Sequence, residues 1–327
     1  MKRPELISRI LISVVVFGAI GTPLYFWSRT PLIHARVAEN GGWNPNVIHA
    51  NAGRPLTLHL TSDDVVHGFA VGQMDMQSVE VPPGKVADVT LTFDRPGTYT
   101  FFCTRWCGLN HWRMRGTIEV GGSTSDPSTG SGQPPTPASP PLYVSLGLDI
   151  DAPHDAPGIP ESRPSAISGQ QLAGDLLVDR SVDHYRSHSP YQVFGEWDAS
   201  SLTGSQRWDV VAYLWRSNTT SESLANGQRL YAQNCAACHG GNGAGNGVFA
   251  DRIAADFGTA MPGANNGRPA DFTDAKRLLG ASPALLQGKI LRGGMGTGMP
   301  SWGPIFTQAQ IWDLVAYLYS FQFTYQR

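Results

Sequence analysis

The sequence predicts a multidomain chain with one N-terminal transmembrane helix, an all-β sandwich or barrel, and an all-α C-terminal domain. Three observations predict these parts: an uncharged apolar run near the N-terminus, period-two alternation over residues 32–121, and helical patterning over residues 220–327. The 327 residues are enough for two or three domains, and the formal net charge of −2 argues against a nucleic-acid partner.

Residues 1–31 form the predicted membrane anchor. No charged residue occurs from Ile10 to Trp27, and this run is close to the length of about 20 residues that a bilayer needs. Basic residues precede the run, so the positive-inside tendency places the N-terminus in the cytoplasm and the later domains outside it. A cleaved signal peptide is the alternative, but no small-x-small cleavage site follows the run.

Residues 32–121 show the alternation that is typical of β-strands. Apolar and polar residues alternate over 56–60, 87–93 and 99–103, and Gly/Pro turns separate these stretches. Cys103 should therefore end one strand and Met114 should begin the next. The loop between them is the kind of segment that carries functional sites on β scaffolds.

This loop carries four metal-binding side chains, Cys103, Cys107, His111 and Met114. Thiolate, imidazole and thioether together suit copper, and Cys/His sets with a weak Met ligand mark copper electron-transfer sites. Two cysteines suggest two copper ions that share bridging thiolates, whereas a disulfide or a structural zinc site would not need the methionine. A second histidine is still required, and His67, near a strand end, is the favoured candidate.

The sequence Cys235-Ala-Ala-Cys238-His239 is the attachment motif of c-type haem. Two thiols one helical turn apart add to the haem vinyl groups, and the histidine that follows binds the iron. Met299 is the favoured sixth ligand and Met295 is the alternative. A His/Met pair raises the reduction potential of the haem. A redox dithiol or half of a zinc site would not require the histidine directly after the second cysteine.

Residues 220–327 around this motif are predicted to be helical. Three helices are expected, over 224–238, 283–291 and 308–322, and Ser221 or Ser223 can cap the first of them.

An internal repeat precedes this region. Residues 208–214 match residues 312–318 at six of seven positions, with a constant offset of 104. The first copy has no attachment motif upstream, so we interpret residues 164–219 as a haem-free remnant of a second such domain. Chance convergence of two amphipathic helices is the alternative. Residues 122–163, rich in Pro, Gly and Ser, are predicted to be a linker.

These motifs resemble two known families. The loop of residues 103–114, with Val66-His67-Gly-Phe69 upstream, resembles the CuA domain of subunit II of haem–copper oxidases, and residues 220–327 resemble class I cytochrome c domains. Fusion of the two is a known arrangement in the oxidase family. The resemblance implies a cupredoxin fold and a binuclear copper site. Its implied ligands are two bridging thiolates, one imidazole for each copper, a weak axial thioether and one backbone carbonyl: Cys103, Cys107, His67, His111, Met114 and Arg105.

The sequence departs from the family at two points. Many members carry a glutamate at the position of Arg105 that helps bind magnesium at the interface with subunit I, so no such magnesium site is expected. Most members have two transmembrane helices, whereas this sequence resembles the branch that has one. Trp43 or Trp106 could form the aromatic contact through which electrons reach copper, although packed surface aromatics are an equally good interpretation.

The resemblance implies the electron-entry subunit II of a membrane cytochrome c oxidase. An extracytoplasmic donor (cytochrome c, a cupredoxin or a quinol-oxidising complex) would reduce haem c, and the electron would pass through CuA to subunit I, which reduces O2 to water. The chain itself would carry electron transfer only, with no catalytic residue. The expected location is the plasma membrane of a prokaryote. The alternatives are the CuA subunit of a nitric oxide reductase, or an anchored electron carrier without an oxidase partner.

Overall fold

The computed structural model describes two packed parts, a β-sandwich and a helical domain. The described residues are 32–74, 76–105, 107–108, 110–122, 140–173, 179–196, 202–257, 267–294 and 297–325.

The transmembrane part of the predicted fold class is wrong for the described structure. None of the helices in the described ranges is long and apolar enough to cross a membrane. Residues 1–31, where the anchor was predicted, lie outside the described residues.

The β-sandwich confirms the predicted β domain. In the described part of residues 32–122 the strands are β1 (Leu32–Ala35), β2 (Trp43–Asn44), β3 (Val47–Asn51), β4 (Leu56–Ser62), β5 (His67–Val71), β6 (Val79–Val81), β7 (Val86–Leu91), β8 (Gly97–Cys103) and β9 (Arg115–Gly121). One sheet has the order β2-β1-β4-β7, and the other has the order β3-β9-β8-β5-β6. The alternation read from the sequence therefore corresponds to β4, β7 and β8.

One apolar core lies between the two sheets and holds them rigidly. Leu58, Leu60 and Phe101 are fully buried in it. The Trp43 ring packs edge-on against the rings of Phe69 and Phe101, with centroids 5.7 and 5.8 Å apart. Burial of each such side chain stabilises the fold by about 1.5–3 kcal/mol. The loop of residues 103–114 is therefore attached at both ends to a well-packed scaffold.

The helical domain is confirmed over the predicted C-terminal region. The helices of the described residues are α1 (Leu142–Ser145), α2 (Ala166–Leu172), α3 (Val182–Ser187), α4 (Pro190–Gly195), α5 (Gly204–Ser217), α6 (Ser221–Asn234), α7 (Ala236–His239), α8 (Ala250–Phe257), α9 (Ala275–Gly280), α10 (Pro283–Arg292) and α11 (Gln308–Tyr319). The cap of α6 is Thr220 and neither predicted serine, because Thr220 has an extended backbone and its side chain accepts a hydrogen bond from the Ser223 N–H.

Two pairs of helices cross in the same way. Helix α2 crosses α5 where Gly169 meets the backbone of Asp209, and α6 crosses α11 where Gly227 meets the backbone of Asp313. A Cβ on either glycine would lie 1.8 Å from the Asp209 oxygen or 2.1 Å from the Asp313 oxygen. The two aspartates are separated by the same offset as the sequence repeat. The crossing supports our interpretation of residues 164–219 as a remnant domain, which stays a prediction.

The second half of the predicted linker is packed against the helices. Ile150 is only 3% exposed and belongs to the helical core. The Ala156 N–H donates to the Lys276 carbonyl at 2.8 Å, and Asp151 forms an ion pair with Arg292. Residues 140–163 therefore differ from the expectation, because their apolar side chains give them a surface to bury.

The sandwich and the helical domain meet at one seam. Gln73 donates to the helical side twice, from its backbone N–H to the Ile305 carbonyl at 3.1 Å and from its side chain to the Gly303 carbonyl at 2.9 Å. Arg115 donates to the Ser301 carbonyl at 2.9 Å and lies over the Trp302 ring. The seam therefore joins the β-sandwich to the segment that follows Met299.

Candidate metal centres

The register of β5 and β8 places His67 beside Cys103. Phe69 pairs with Cys103 across the antiparallel strands, and His67 lies two residues before Phe69. Residues two apart share a face of a sheet, so His67 and Cys103 lie on the same face. The His67 Nδ1 and Cys103 Sγ atoms are 3.7 Å apart, and both side chains are buried.

The loop after β8 folds back on itself around two sulfur atoms. The Cys103 N–H donates to the Met114 carbonyl at 3.0 Å, which closes the loop. The short 3₁₀ helix His111–Arg113 then turns His111 toward Cys107. The Cys107 Sγ lies 3.9 Å from the Cys103 Sγ, 3.5 Å from the His111 Nδ1 and 3.2 Å from the Met114 Sδ. The structure therefore gathers the predicted thiolate, imidazole and thioether donors in one place.

Arg105 presents its backbone and not its side chain to this group. The Cys103 thiol donates to the Arg105 carbonyl oxygen at 3.2 Å, while the guanidinium forms an exposed ion pair with Glu80. Two thiols, two imidazoles, a thioether and a carbonyl form a soft donor set that suits copper. His67, Cys103 and Cys107 are also close enough to one another to hold a metal ion.

Asp64 holds the His67 ring from the other side. The His67 Nε2 donates to the Asp64 carboxylate at 2.7 Å, and that carboxylate also accepts the backbone N–H groups of Val37 and Val65. This arrangement fixes the ring and leaves Nδ1 toward Cys103, as outer partners of metal-binding histidines do. Our sequence analysis did not identify Asp64, although a carboxylate three residues before a candidate ligand was a usable signal.

The two thiols of the loop differ in their protonation. The hydrogen bond with Cys107 lowers the pKa of Cys103 most, and hydrogen bonds with His111 and His67 lower it further, against the effect of burial. The same hydrogen bond and burial raise the pKa of Cys107. Burial opposes a charged His67, but hydrogen bonds with Cys103 and Asp64 raise its pKa. One sulfur is therefore held as the thiolate, which is the form that binds metals.

A second candidate centre lies in a cavity of about 490 Å³ in the helical domain. Cys235, Cys238, His239 and Met299 all line it. The His239 Nδ1–H donates to the Ala270 carbonyl at 3.0 Å, which leaves Nε2 available for a metal. The four residues that were predicted to hold haem therefore share one cavity.

The lining of this cavity is mainly apolar and carries more cations than acids. The charged lining residues are Arg268, Arg277, Lys289, Arg292, Asp151 and Asp271. Haem is a flat apolar ring with two carboxylates, so an apolar cavity with an excess of positive charge suits it.

The cysteines of the cavity differ chemically from those of the copper loop. Burial, with the nearby Cys238, raises the pKa of Cys235 to about 12, and burial raises the pKa of Cys238 to about 11. Both therefore favour the neutral thiol, in contrast to Cys103. This difference favours thioether attachment of haem over thiolate binding of a metal ion.

The cavity extends as far as the copper loop. His111 and Trp112 line it together with His239 and Met299. Trp112 was not singled out in the sequence, because nothing in its local pattern shows that a segment near the far end of the chain packs against it. Arg115 was missed for the same reason.

The other predicted site residues have different outcomes. Trp43 is buried in the sandwich core, where its Nε1–H donates to the Met114 carbonyl at 3.1 Å. It is therefore not a surface aromatic, and its role in electron transfer stays a prediction. Trp106 and Met295 lie outside the described residues.

Two protein families match separate parts of the chain. The family described as Cupredoxin-like domain matches residues 29–120, and the family described as Cytochrome c matches residues 224–322. Together these matches correspond to the sandwich and to the haem-type cavity domain.

Curated relatives match the copper-loop part of the chain. Cytochrome c oxidase subunit 2 of Thermus thermophilus is 46% identical over 79 residues, which is 24% of this chain and 58% of that protein. The same subunit from a named strain of that species is also 46% identical over 79 residues, 46% of its length. Nitrous-oxide reductase of Ralstonia nicotianae is 36% identical over 72 residues, 21% of this chain and 11% of that protein. The chain thus spans about half the length of the subunit 2 relatives it matches.

Solved structures resemble the chain over the same part. A chain of a haem–copper terminal oxidase dimer is 21% identical, with a TM-score of 0.25, and the match covers 36% of this chain and 100% of that chain. The periplasmic domain of cytochrome oxidase subunit II of Bradyrhizobium japonicum is 22% identical, with a TM-score of 0.23, over 24% of this chain and 56% of that chain.

Proposed function

We propose that this chain, which joins a cupredoxin domain like that of cytochrome c oxidase subunit 2 to a cytochrome c domain, is the electron-entry subunit of a terminal oxidase. In this proposal a covalently bound haem c is held by Cys235, Cys238, His239 and Met299. A binuclear CuA centre is held by the six donors described above. An extracytoplasmic donor supplies the electrons, and subunit I of a haem–copper oxidase receives them and reduces O2 to water.

One observation carries the proposal: His111 belongs to both sites. Its Nδ1 is 3.5 Å from the Cys107 sulfur, and the same residue lines the cavity of His239. Copper and haem, when bound, would each accept and release one electron. A side chain shared by the two sites provides a short, direct route between them.

The residues around the copper loop favour electron transfer over substrate chemistry. His67 and Met114 are fully inaccessible to solvent, and Cys103 is 3% exposed. The sandwich core and the Asp64 hydrogen bond keep these donors in place, so they need to move little when the charge of the site changes. A rigid, dry donor set of this kind is what the protein contributes to a redox cofactor.

Flash reduction of the full chain, loaded with copper and haem, tests the proposal. A photosensitiser reduces the haem, and absorption is followed in the haem bands and in the near-infrared band of the copper pair. We expect haem reoxidation and loss of the copper band to occur together, at a rate that is independent of protein concentration. The Cys107→Ser chain is the control, because it keeps the haem cavity residues and loses one bridging sulfur.

Two results would contradict the proposal. One is a transfer rate that rises with protein concentration, since electrons would then pass between molecules. The other is a chain that binds copper and haem but shows no exchange between them. The partner is tested separately by purifying the full chain, with whatever it is bound to, from its native cells. A co-purifying haem-containing subunit that consumes O2 is expected, and one that consumes only nitric oxide would contradict the oxidase assignment.

A further inference from the structure

A second group of metal-binding side chains lies in residues 164–219, outside both centres described above. His184 is on α3, His188 caps the C-terminus of α3, and Glu196 caps the C-terminus of α4. One ligand atom of each residue lies within 4.8 Å of the other two. None of the three lines the haem-type cavity or belongs to the copper loop, so the proposed function does not use them.

The two imidazoles approach each other and the carboxylate closely. The ring centroids of His184 and His188 are 4.3 Å apart, and the His184 Nε2 is 3.1 Å from the Glu196 Oε2. In a tetrahedral zinc site with bonds of about 2.0–2.1 Å, neighbouring ligand atoms are about 3.3 Å apart. The observed spacing is therefore that of two atoms bound to one ion.

The His184 nitrogen has no hydrogen bond despite this proximity. Its Nε2 is buried and lacks a partner with hydrogen-bonding geometry, although the Glu196 oxygen is near. A buried polar atom without a partner costs free energy. A cation between the nitrogen and the carboxylate would satisfy both atoms without the linear geometry of a hydrogen bond.

The outer nitrogens of both rings are already occupied. The His188 Nδ1–H donates to the His184 carbonyl at 3.1 Å, and the His184 Nδ1 lies 3.7 Å from the Asp179 carboxylate. A backbone carbonyl on one ring and a carboxylate on the other are the usual outer partners of metal-binding histidines. Both Nε2 atoms are thus left for a shared ligand.

We propose that His184, His188 and Glu196 bind one divalent transition-metal ion, with Zn²⁺ as the preferred ion and water as its fourth ligand. Two imidazoles and one carboxylate form an established zinc donor set. The ion would join the C-terminal end of α3 to that of α4 and would hold this hairpin closed. The site lies in the segment without a haem motif, so metal binding would replace haem as the local stabiliser there.

Zinc titration of the full chain, already loaded with copper and haem, tests this site. A chromophoric chelator competes for Zn²⁺ and reports affinity and stoichiometry, and Co²⁺ replaces Zn²⁺ to report the ligand type by absorption. We expect one tightly bound ion per chain and a Co²⁺ spectrum of nitrogen and oxygen ligands without thiolate charge-transfer bands. Thermal unfolding should shift to higher temperature as zinc is added.

Variants assign the ligands. His188→Gln and Glu196→Gln should each weaken zinc binding by more than tenfold, and Asp179→Asn should weaken it by roughly tenfold, the lower end of the effect of outer partners. His49→Gln is the matched control, because His49 also faces a carboxylate, that of Glu119 at 3.2 Å, but belongs to no three-residue metal group in the described structure. It should bind zinc normally.

Three outcomes overturn the proposal. One is the absence of a tight zinc ion in the copper- and haem-loaded chain. Another is equal affinity in His188→Gln, Glu196→Gln and the unaltered chain, which would place the ion elsewhere. The third is a thiolate band with Co²⁺, which would assign the binding to the copper loop.

Discussion

Asp64 determines how His67 is presented to the copper loop. Its carboxylate is only partly exposed, and it accepts the His67 Nε2–H together with two backbone N–H groups. These bonds lower the pKa of Asp64 although burial opposes them. The carboxylate therefore stays charged and keeps the imidazole in one orientation.

Replacement of this carboxylate should weaken copper binding. We expect Asp64→Asn to lower copper affinity by about 10–100-fold, because outer partners of a metal-binding histidine have effects of this size. Competition with a copper chelator measures the change. Asp88→Asn is the control, since Asp88 pairs with the half-exposed His59, which is not a predicted ligand. Equal affinities in both variants would show that Asp64 does not orient His67.

The identity of the sixth haem ligand can be tested by substitution. Met299 lines the haem-type cavity together with His239, and a thioether ligand raises the reduction potential of haem. Met299→Leu should therefore lower the haem potential in a redox titration, and Met295→Leu should leave it unchanged. The reverse result would assign the ligand to Met295.

The sequence predicted single residues well where one short segment contains them. Cys103, Cys107, His111 and Met114 lie on one loop, so their spacing alone indicated a shared site. His67 was harder, because its position depends on the strand register and was supported by a family resemblance. Trp112 could not be predicted, since it borders the haem-type cavity only through contacts with a distant segment.

At the scale of elements, the closest contact in each helix pair depends on a glycine. The backbones of α2 and α5 approach at Gly169, and those of α6 and α11 approach at Gly227. The same pattern in both pairs was indicated by the internal repeat in the sequence. The packing of residues 140–163 was not, because a Pro-rich composition hid the few apolar residues that contact the helices.

Alanine at these crossings should destabilise the helical domain. We expect Gly227→Ala and Gly169→Ala each to lower the free energy of unfolding by roughly 1–3 kcal/mol, since the new Cβ would overlap a backbone oxygen and the helices must separate. Chemical denaturation of the haem-loaded chain measures this. Gly204→Ala is the control, because its added Cβ would meet nothing within 4 Å, and its stability should be unchanged or slightly increased.

At the scale of the whole molecule, the seam between the domains sets the path between the two centres. Arg115 is central to it: burial lowers the pKa of its guanidinium, and it reaches the Ser301 carbonyl and the Trp302 ring. Arg115 directly follows Met114, and Trp302 is three residues after Met299. One side chain therefore connects the segments that carry both methionine donors.

Loss of this contact should slow electron transfer without removing either cofactor. We expect Arg115→Ala to slow haem-to-copper transfer by about ten- to a hundredfold, because small displacements of reacting groups have effects of this order. Flash reduction measures the rate, and the haem and copper absorption bands should be unchanged. Arg113→Ala, at an exposed position of the same loop, should transfer at the normal rate. A normal rate in Arg115→Ala would show that the seam does not control the path.

The shared helical core has a consequence for the order of events during synthesis. The Trp215 ring packs against the rings of Tyr319 and Phe323, and the Thr324 carbonyl accepts the Ala166 N–H at 2.9 Å. The segment before the attachment motif is therefore completed by residues that leave the ribosome last. Cys235 and Cys238 emerge before that core can close, so the attachment machinery meets both thiols on an open chain, and closing the core afterwards seals the haem in place.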